Sequence, residues 1–205
     1  MNFLNSKPEV GKKEKLVTKP SCEEAEEAVR TLLRWAGDDP SREGLLDTPS
    51  RVVRAYSEWF AGYNEDPEKI LERTFEEVAG YSEIVTLKDI RFESYCEHHL
   101  APIIGIVHVA YIPTERVVGI SKIARLVDAF SKRLQVQEKM TSQIANTLQS
   151  VLKPLGTAVL VEGDHHCMCT RGVHKTTSTM ISSAFTGDFK KKQELKDEFY
   201  KIVGK

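Results

Sequence analysis

Two short segments hold the residues best able to do chemistry: Cys96-Glu97-His98-His99 and, further along, His165-His166-Cys167-Met168-Cys169. Thiolate and imidazole are ligands zinc prefers, and a tetrahedral ion needs three or four of them converging from separate segments. Cys96 and His99, three apart, can meet one ion if the chain turns there. Read as an extended run, the second segment sends His165, Cys167 and Cys169 to one face and His166 and Met168 to the other. Same-face neighbours on a strand stand about 6–7 Å apart, too far for two sulfurs to reach one ion at about 2.3 Å without a turn. One of the two cysteines is therefore expected to bind, and Cys167, between its histidine neighbours, is the better placed. A structural zinc closes four protein ligands, whereas a catalytic one keeps three and a water. The segments offer more candidates than a structural site needs, and surplus histidines such as His98 and His165 are what a proton-transfer site adds.

Two further stretches stand out. In Gly119-Ile120-Ser121-Lys122-Ile123-Ala124-Arg125, Ser121 suits a helix N-cap, yet Lys122 and Arg125 set cations in the first turn, where the helix dipole disfavours them. A bound anion resolves that conflict, and Arg171 can join it if the strands are neighbours; a solvated helix start is the plain alternative. Gln135-Val136-Gln137-Glu138 opens the next helix. Glu138 fits there on dipole grounds alone, and a carboxylate is also the natural partner of guanine, whose N1–H and exocyclic amine are parallel donors.

The elements that must position these residues follow from periodicity. The 205 residues suffice for one domain with a helical extension, and a formal charge of −1 supplies no field toward nucleic acid or anionic membrane. The longest apolar stretch, Leu100 to Thr114, contains Pro102, His108 and Pro113, so no membrane span is expected. The start lacks an apolar leader, and four cysteines, three of them near histidines, suggest reduced thiols in a cytoplasm. Residues 1–20 read as a flexible tail and 21–80 as a helical region. That region opens with a Ser21/Glu24 capping box, continues with a helix capped by Thr48 and stopping at Gly62, and ends with a short helix from Asp66-Pro67. Residues 81–205 read as strands over Ile90–Glu93 and Ile103–Tyr111, two successive helices, strands over Thr157–Glu162 and Lys175–Ser183, and a terminal helix over Gln193–Val203. The order favours an α+β fold with an antiparallel sheet.

Taken together, Cys96-Glu97-His98-His99, Gly119-Ile120-Ser121-Lys122, Gln135-Val136-Gln137-Glu138 and His165-His166-Cys167 with Arg171-Gly172-Val173 resemble GTP cyclohydrolase I in order and spacing. The resemblance runs from about Ser21 to the C-terminus and is densest from Tyr95 to Phe189. It implies conversion of GTP and water to 7,8-dihydroneopterin triphosphate and formate, the entry to folate and other pterins. It implies a zinc ion on Cys96, His99 and Cys167, with His98 protonating N7 and His165 serving as second acid/base. Ser121 would stand near the sugar, Arg51, Lys122, Arg125 and Arg171 on the triphosphate, and Gln137 and Glu138 on the guanine. The implied architecture is the tunnelling fold, an antiparallel four-stranded sheet with two helices, preceded by a helical region. The implied assembly is a homodecamer of two pentamers in the cytoplasm, with active sites between subunits.

Two other readings fit part of the pattern. A zinc-stabilised binding module would close the ion with Cys96, His99, Cys167 and Cys169, and a related pterin or deazapurine enzyme would also use Glu138. A zinc nucleoside deaminase lacks its His-X-Glu and Pro-Cys-X-X-Cys segments here.

Overall fold

The computed structural model describes residues 18–75 and 83–205. The expected tail, as far as residue 17, lies outside the described residues, as does the expected boundary at residues 80 and 81. The described residues up to Arg54 form one compact unit and Ala55–Lys205 a second.

In the first unit, α1 (Cys22–Trp35) begins with the expected capping box. Glu24 N–H donates to Ser21 Oγ at 3.2 Å, and Ser21 N–H donates to Glu24 Oε2 at 2.8 Å. Two orphan donors of the first turn are thereby satisfied. The helix gives way to Gly37, whose φ of 94° suits a residue without Cβ. α2 (Thr48–Trp59) differs slightly from expectation: Thr48 is already helical and is not the cap, because Arg51 N–H bonds to the Asp47 carbonyl. Its residues from Ala55 onward belong to the second unit, and it ends at Trp59, short of Gly62, where a 3₁₀ turn over Ala61–Asn64 takes over.

The second unit adds α3 (Pro67–Leu71), started as expected by Asp66, whose carboxylate accepts from Glu68 and Lys69 N–H. A two-residue pair, β1 (Thr74–Phe75) with β4 (Val117–Val118), stands apart from the main sheet. That sheet comprises β2 (Val85–Cys96), β3 (Pro102–Ile112), β5 (Leu134–Gln135), β6 (Gly156–His165) and β7 (Thr179–Phe185), in the order β5-β2-β3-β6-β7. Its four long strands are antiparallel, as expected; β5 adds a fifth, parallel to β2 at Tyr95 and Cys96 only. The first hairpin is separated from the second by α4 (Ile120–Ser131) and α5 (Gln137–Leu152).

Both faces of the sheet bury apolar residues. Phe92, Val107, Val109, Tyr111, Val159 and Val161 belong to one core with Leu126, Phe130, Met140, Ile144 and Leu148 from α4 and α5. On the other side, Ala110, Ile112, Ala158 and Leu160 meet Phe189 of α7 (Gly187–Lys191) and Phe199 and Val203 of α8 (Gln193–Val203). The terminal helix has the expected bounds. Among the described residues, no helix is long and apolar enough to cross a membrane.

Three local expectations are corrected. The cap of α4 is Gly119, whose carbonyl accepts from Lys122 N–H, so Ser121 is the second helical residue. The last strand starts at Thr179 because Lys175 N–H bonds to the Met168 carbonyl and folds the preceding loop back. The run after His165 is not extended: His166–Cys169 form the single helical turn α6, closed by Thr170 N–H to the His166 carbonyl.

Candidate active site

Cys96 ends β2, and the chain reverses at once. Its N–H donates to the Ala101 carbonyl at 2.8 Å, while its own carbonyl accepts from His99 and Leu100 N–H. The reversal places Leu100 at φ 54° and brings His99 Nδ1 to 3.9 Å from Cys96 Sγ. Cys167 arrives from α6, so that one ligand atom each of Cys96, His99 and Cys167 lie within 4.8 Å of one another. Cys96 is buried, Cys167 half-buried and His99 exposed, a gradient from core to solvent.

The donor set fits zinc. Two thiols and an imidazole at these separations need close by only about 1 Å to meet ligand distances of about 2.0–2.3 Å around a tetrahedral ion. Burial, reinforced by the neighbouring Cys96 thiol, pushes the Cys167 thiol up. Two adjacent sulfurs resist ionising together unless a cation compensates them. Cys169 is not in the cluster: two residues on in a helical turn it is rotated by about 200°, and its thiol donates to the Lys175 carbonyl at 3.4 Å. Three protein ligands leave a tetrahedral ion one open position.

His98 and His165 flank the cluster differently. His98 is exposed, with Nδ1 3.7 Å from Cys96 Sγ. His165 ends β6, half-buried, and its Nε2 stands 2.9 Å from Gln137 Oε1. Burial lowers the affinity of the His165 ring for a proton, against the opposing pull of the Glu138 and Asp164 carboxylates. Glu138 is exposed at the second position of α5. Gln137 is 1% exposed, and its amide nitrogen reaches the carbonyls of Val161 and Met180 and the Ser182 hydroxyl at 3.0–3.2 Å.

The basic residues divide into groups. Lys122 and Arg125, on successive turns of α4, line a cavity of about 300 Å³ with Lys132, Asp128 and Glu65. Burial holds the Asp128 carboxyl above its ordinary value, with Lys132 opposing. Arg171 lies beyond α6, its Nη1 3.2 Å from His99 Nε2. Arg51 lies on α2 in the first unit, where it pairs with Asp47 at 3.2 Å. Ser121 is exposed near the start of α4.

Of the residues around His165, Gln137 was expected only as a guanine contact, and Thr141, Gly163 and Ser182 were not among the expected site residues. Thr141 and Ser182 share a 2.7 Å hydrogen bond beneath Gln137, and Thr141 Oγ1 also donates to the Gln137 carbonyl at 2.7 Å. A Cβ on Gly163 would stand 2.5 Å from Gln137 Oε1. The available signal was a glycine inside a strand, which marks close approach of another group.

Known proteins resemble this chain over most of its length. The family model described as GTP cyclohydrolase I matches residues 25–204. A GTP cyclohydrolase 1 of Maricaulis maris (strain MCS10) is 60% identical over 186 residues, covering 91% of this chain and 91% of its own. The protein of the same name from Hyphomonas neptunium (strain ATCC 15444) is 58% identical over 188 residues, covering 92% and 91%. That of Brucella canis (strain ATCC 23365 / NCTC 10854 / RM-666) is 57% identical over 185 residues, covering 90% and 87%.

Proposed function

The chain belongs to the GTP cyclohydrolase I family and is an enzyme of it; from that premise we propose that it converts GTP and water to 7,8-dihydroneopterin triphosphate and formate. The observation that supports the reading is the convergence of Cys96, His99 and Cys167, with His98 Nδ1 3.7 Å from Cys96 Sγ and His165 two residues before Cys167 in the chain. A zinc ion held by those three residues would supply Lewis-acid activation of water for attack on C8 of the purine.

The chain's own residues do the rest. His98, exposed beside the cluster, delivers a proton to N7 and makes C8 electrophilic. His165 moves protons during ring opening and loss of formate, and Ser121 attends the sugar. Glu138 accepts from guanine N1–H and the exocyclic amine. Lys122, Arg125, Arg171 and Arg51 hold the triphosphate, and the cavity lined by Lys122 and Arg125 supports that role for the first two. The position of Cys169, with its thiol on the Lys175 carbonyl, argues against a closed four-ligand structural zinc.

In this reading residues 81–205 form the catalytic domain, in the tunnelling fold, and 21–80 a helical region before it. The enzyme works in the cytoplasm as a homodecamer of two pentamers. The sheet order favours association, since β7 and most of β2 have outer edges with no strand beside them among the described residues.

The test is incubation of zinc-loaded protein with GTP, followed by measurement of formate and, after oxidation, of a fluorescent pterin. Both products are expected in equal amounts. Their absence from metal-replete protein would overturn the proposal.

A further inference from the structure

The resemblance assigns Gln137 to the guanine, but the side chain is committed elsewhere. Its amide nitrogen has two hydrogens and faces three acceptors, Val161 O at 3.2 Å, Met180 O at 3.0 Å and Ser182 Oγ at 3.1 Å. Turning the carboxamide over would set its oxygen against two carbonyl oxygens. The orientation is therefore fixed by the sheet, and Oε1 must face His165. Because that oxygen can only accept, His165 Nε2, 2.9 Å away, must carry a hydrogen and donate it.

We propose that Gln137 is a positioning residue for His165: its anchored carboxamide fixes the imidazole ring and holds the hydrogen on Nε2, leaving Nδ1 as the nitrogen that exchanges protons with the substrate. The anchorage is built from several directions. The Thr141 hydroxyl binds both the Gln137 carbonyl and Ser182 Oγ, the latter a partner of the Gln137 amide. Gly163 leaves the space in which the carboxamide lies, since a Cβ there would stand 2.5 Å from Gln137 Oε1 and 3.0 Å from Ile103 Cγ2. At 1% exposure the side chain is walled in by protein, as an orienting group should be and a substrate contact need not be. The catalytic part of the proposal rests on the reading of His165 as an acid–base group.

Gln137→Met keeps the approximate length and removes every hydrogen bond of the side chain. In the zinc-loaded protein we expect kcat to fall by about 10- to 1,000-fold, no more than the 10²–10⁴ that a positioned acid–base group contributes in full, since the ring is displaced and not removed. The Kd for GTP should change by less than about threefold, and zinc content should stay unchanged. In a His165→Ala background the same substitution should cost less than about twofold more, because Gln137 acts through that ring. A raised Kd with kcat retained would overturn the proposal in favour of a base contact, and multiplying losses in the double variant would overturn it in favour of an independent role.

A second readout needs no turnover. Magic-angle-spinning NMR of ¹⁵N-histidine-labelled full-length protein, with His165→Ala to assign the signal, should show a protonated Nε2 in the neutral ring of the parent and a mixture of tautomers in Gln137→Met. A bare Nε2 in the parent would overturn the proposal. If the parent makes no product from GTP yet shows the protonated Nε2, the functional reading fails and the positioning of His165 stands. Should Gln137→Met not fold, Gly163→Ala retains every hydrogen-bonding group and displaces chiefly the carboxamide, with Ile103 Cγ2 yielding beside it, and is expected to lower kcat and mix the tautomers in the same way.

Discussion

Replacing Glu138 by glutamine separates substrate recognition from fold. Glu138 is exposed at the second position of α5, so its charge supports the helix mainly through the dipole, worth about 0.3–1 kcal/mol. Glu138→Gln should therefore lower the melting temperature by no more than about 1–4 °C for a unit of this size. Affinity should respond far more. A carboxylate facing guanine accepts from N1–H and the exocyclic amine together, and glutamine turns one of those acceptors into a donor aimed at a donor. Losing one charge-assisted bond of about 1.5–3 kcal/mol predicts a Kd for GTP weakened by about 10- to 150-fold. ITP, which lacks the exocyclic amine, should lose less, so the gap between the two nucleotides narrows. Calorimetric titration of GTP and ITP into both proteins, with zinc content verified, measures all of this. A variant that binds GTP like the parent would refute the reasoning and leave Glu138 as a helix-start carboxylate.

Other expectations follow from the same geometry. Cys96→Ser, His99→Ala and Cys167→Ser should each lose bound zinc while Cys169→Ser, whose sulfur bonds to the Lys175 carbonyl, keeps it; elemental analysis of the four proteins decides. Lys122→Ala and Arg125→Ala should weaken GTP more than guanosine, because their cavity is proposed to receive the triphosphate, and equal losses would point to a structural role. Gly105→Ala should destabilise the sheet, since a Cβ there overlaps the Glu162 carbonyl oxygen and stands 2.8 Å from Gly163 Cα. An overpacking cost of about 1–3 kcal/mol corresponds to about 2–12 °C in melting temperature, and an unchanged thermogram would contradict it.

What could be read from the sequence was what local chemistry decides. The Ser21/Glu24 box, the Asp66-Pro67 start and the bounds of α8 depend on neighbours within a turn, and each appears as expected. Elements set by distant partners were harder to see. Nothing in Leu134-Gln135 announces a strand, because β5 exists only by pairing with Tyr95 and Cys96. A four-residue helix shows no period, so the His-His-Cys-Met-Cys run read as extended; Cys167 joins the cluster, and Cys169 leaves it, through the rotation of α6. At the site the group of Cys96, His99 and Cys167, which could hold a metal ion, was legible because Cys and His are scarce and clustered. The frame behind His165 was not: Gln137 read as a base contact, and Thr141, Gly163 and Ser182 are common residues whose roles come from the packing of α5 on β6 and β7.

The end of β2 also bears on how the site moves. Cys96 is held by its N–H bond to Ala101, and the next amide, that of Glu97, bonds to the Gln135 carbonyl across to β5. One sulfur is thus fixed where three strands meet, while the other two ligands sit on a tight reversal and a single helical turn. Amide hydrogen exchange should register this as a sharp step, with slow exchange at Cys96 and Glu97 and fast exchange through the exposed loop after Cys169. A metal entering the cluster would then quench fluctuations mainly on the α6 side, and its loss would loosen that side while leaving the sheet as rigid as before.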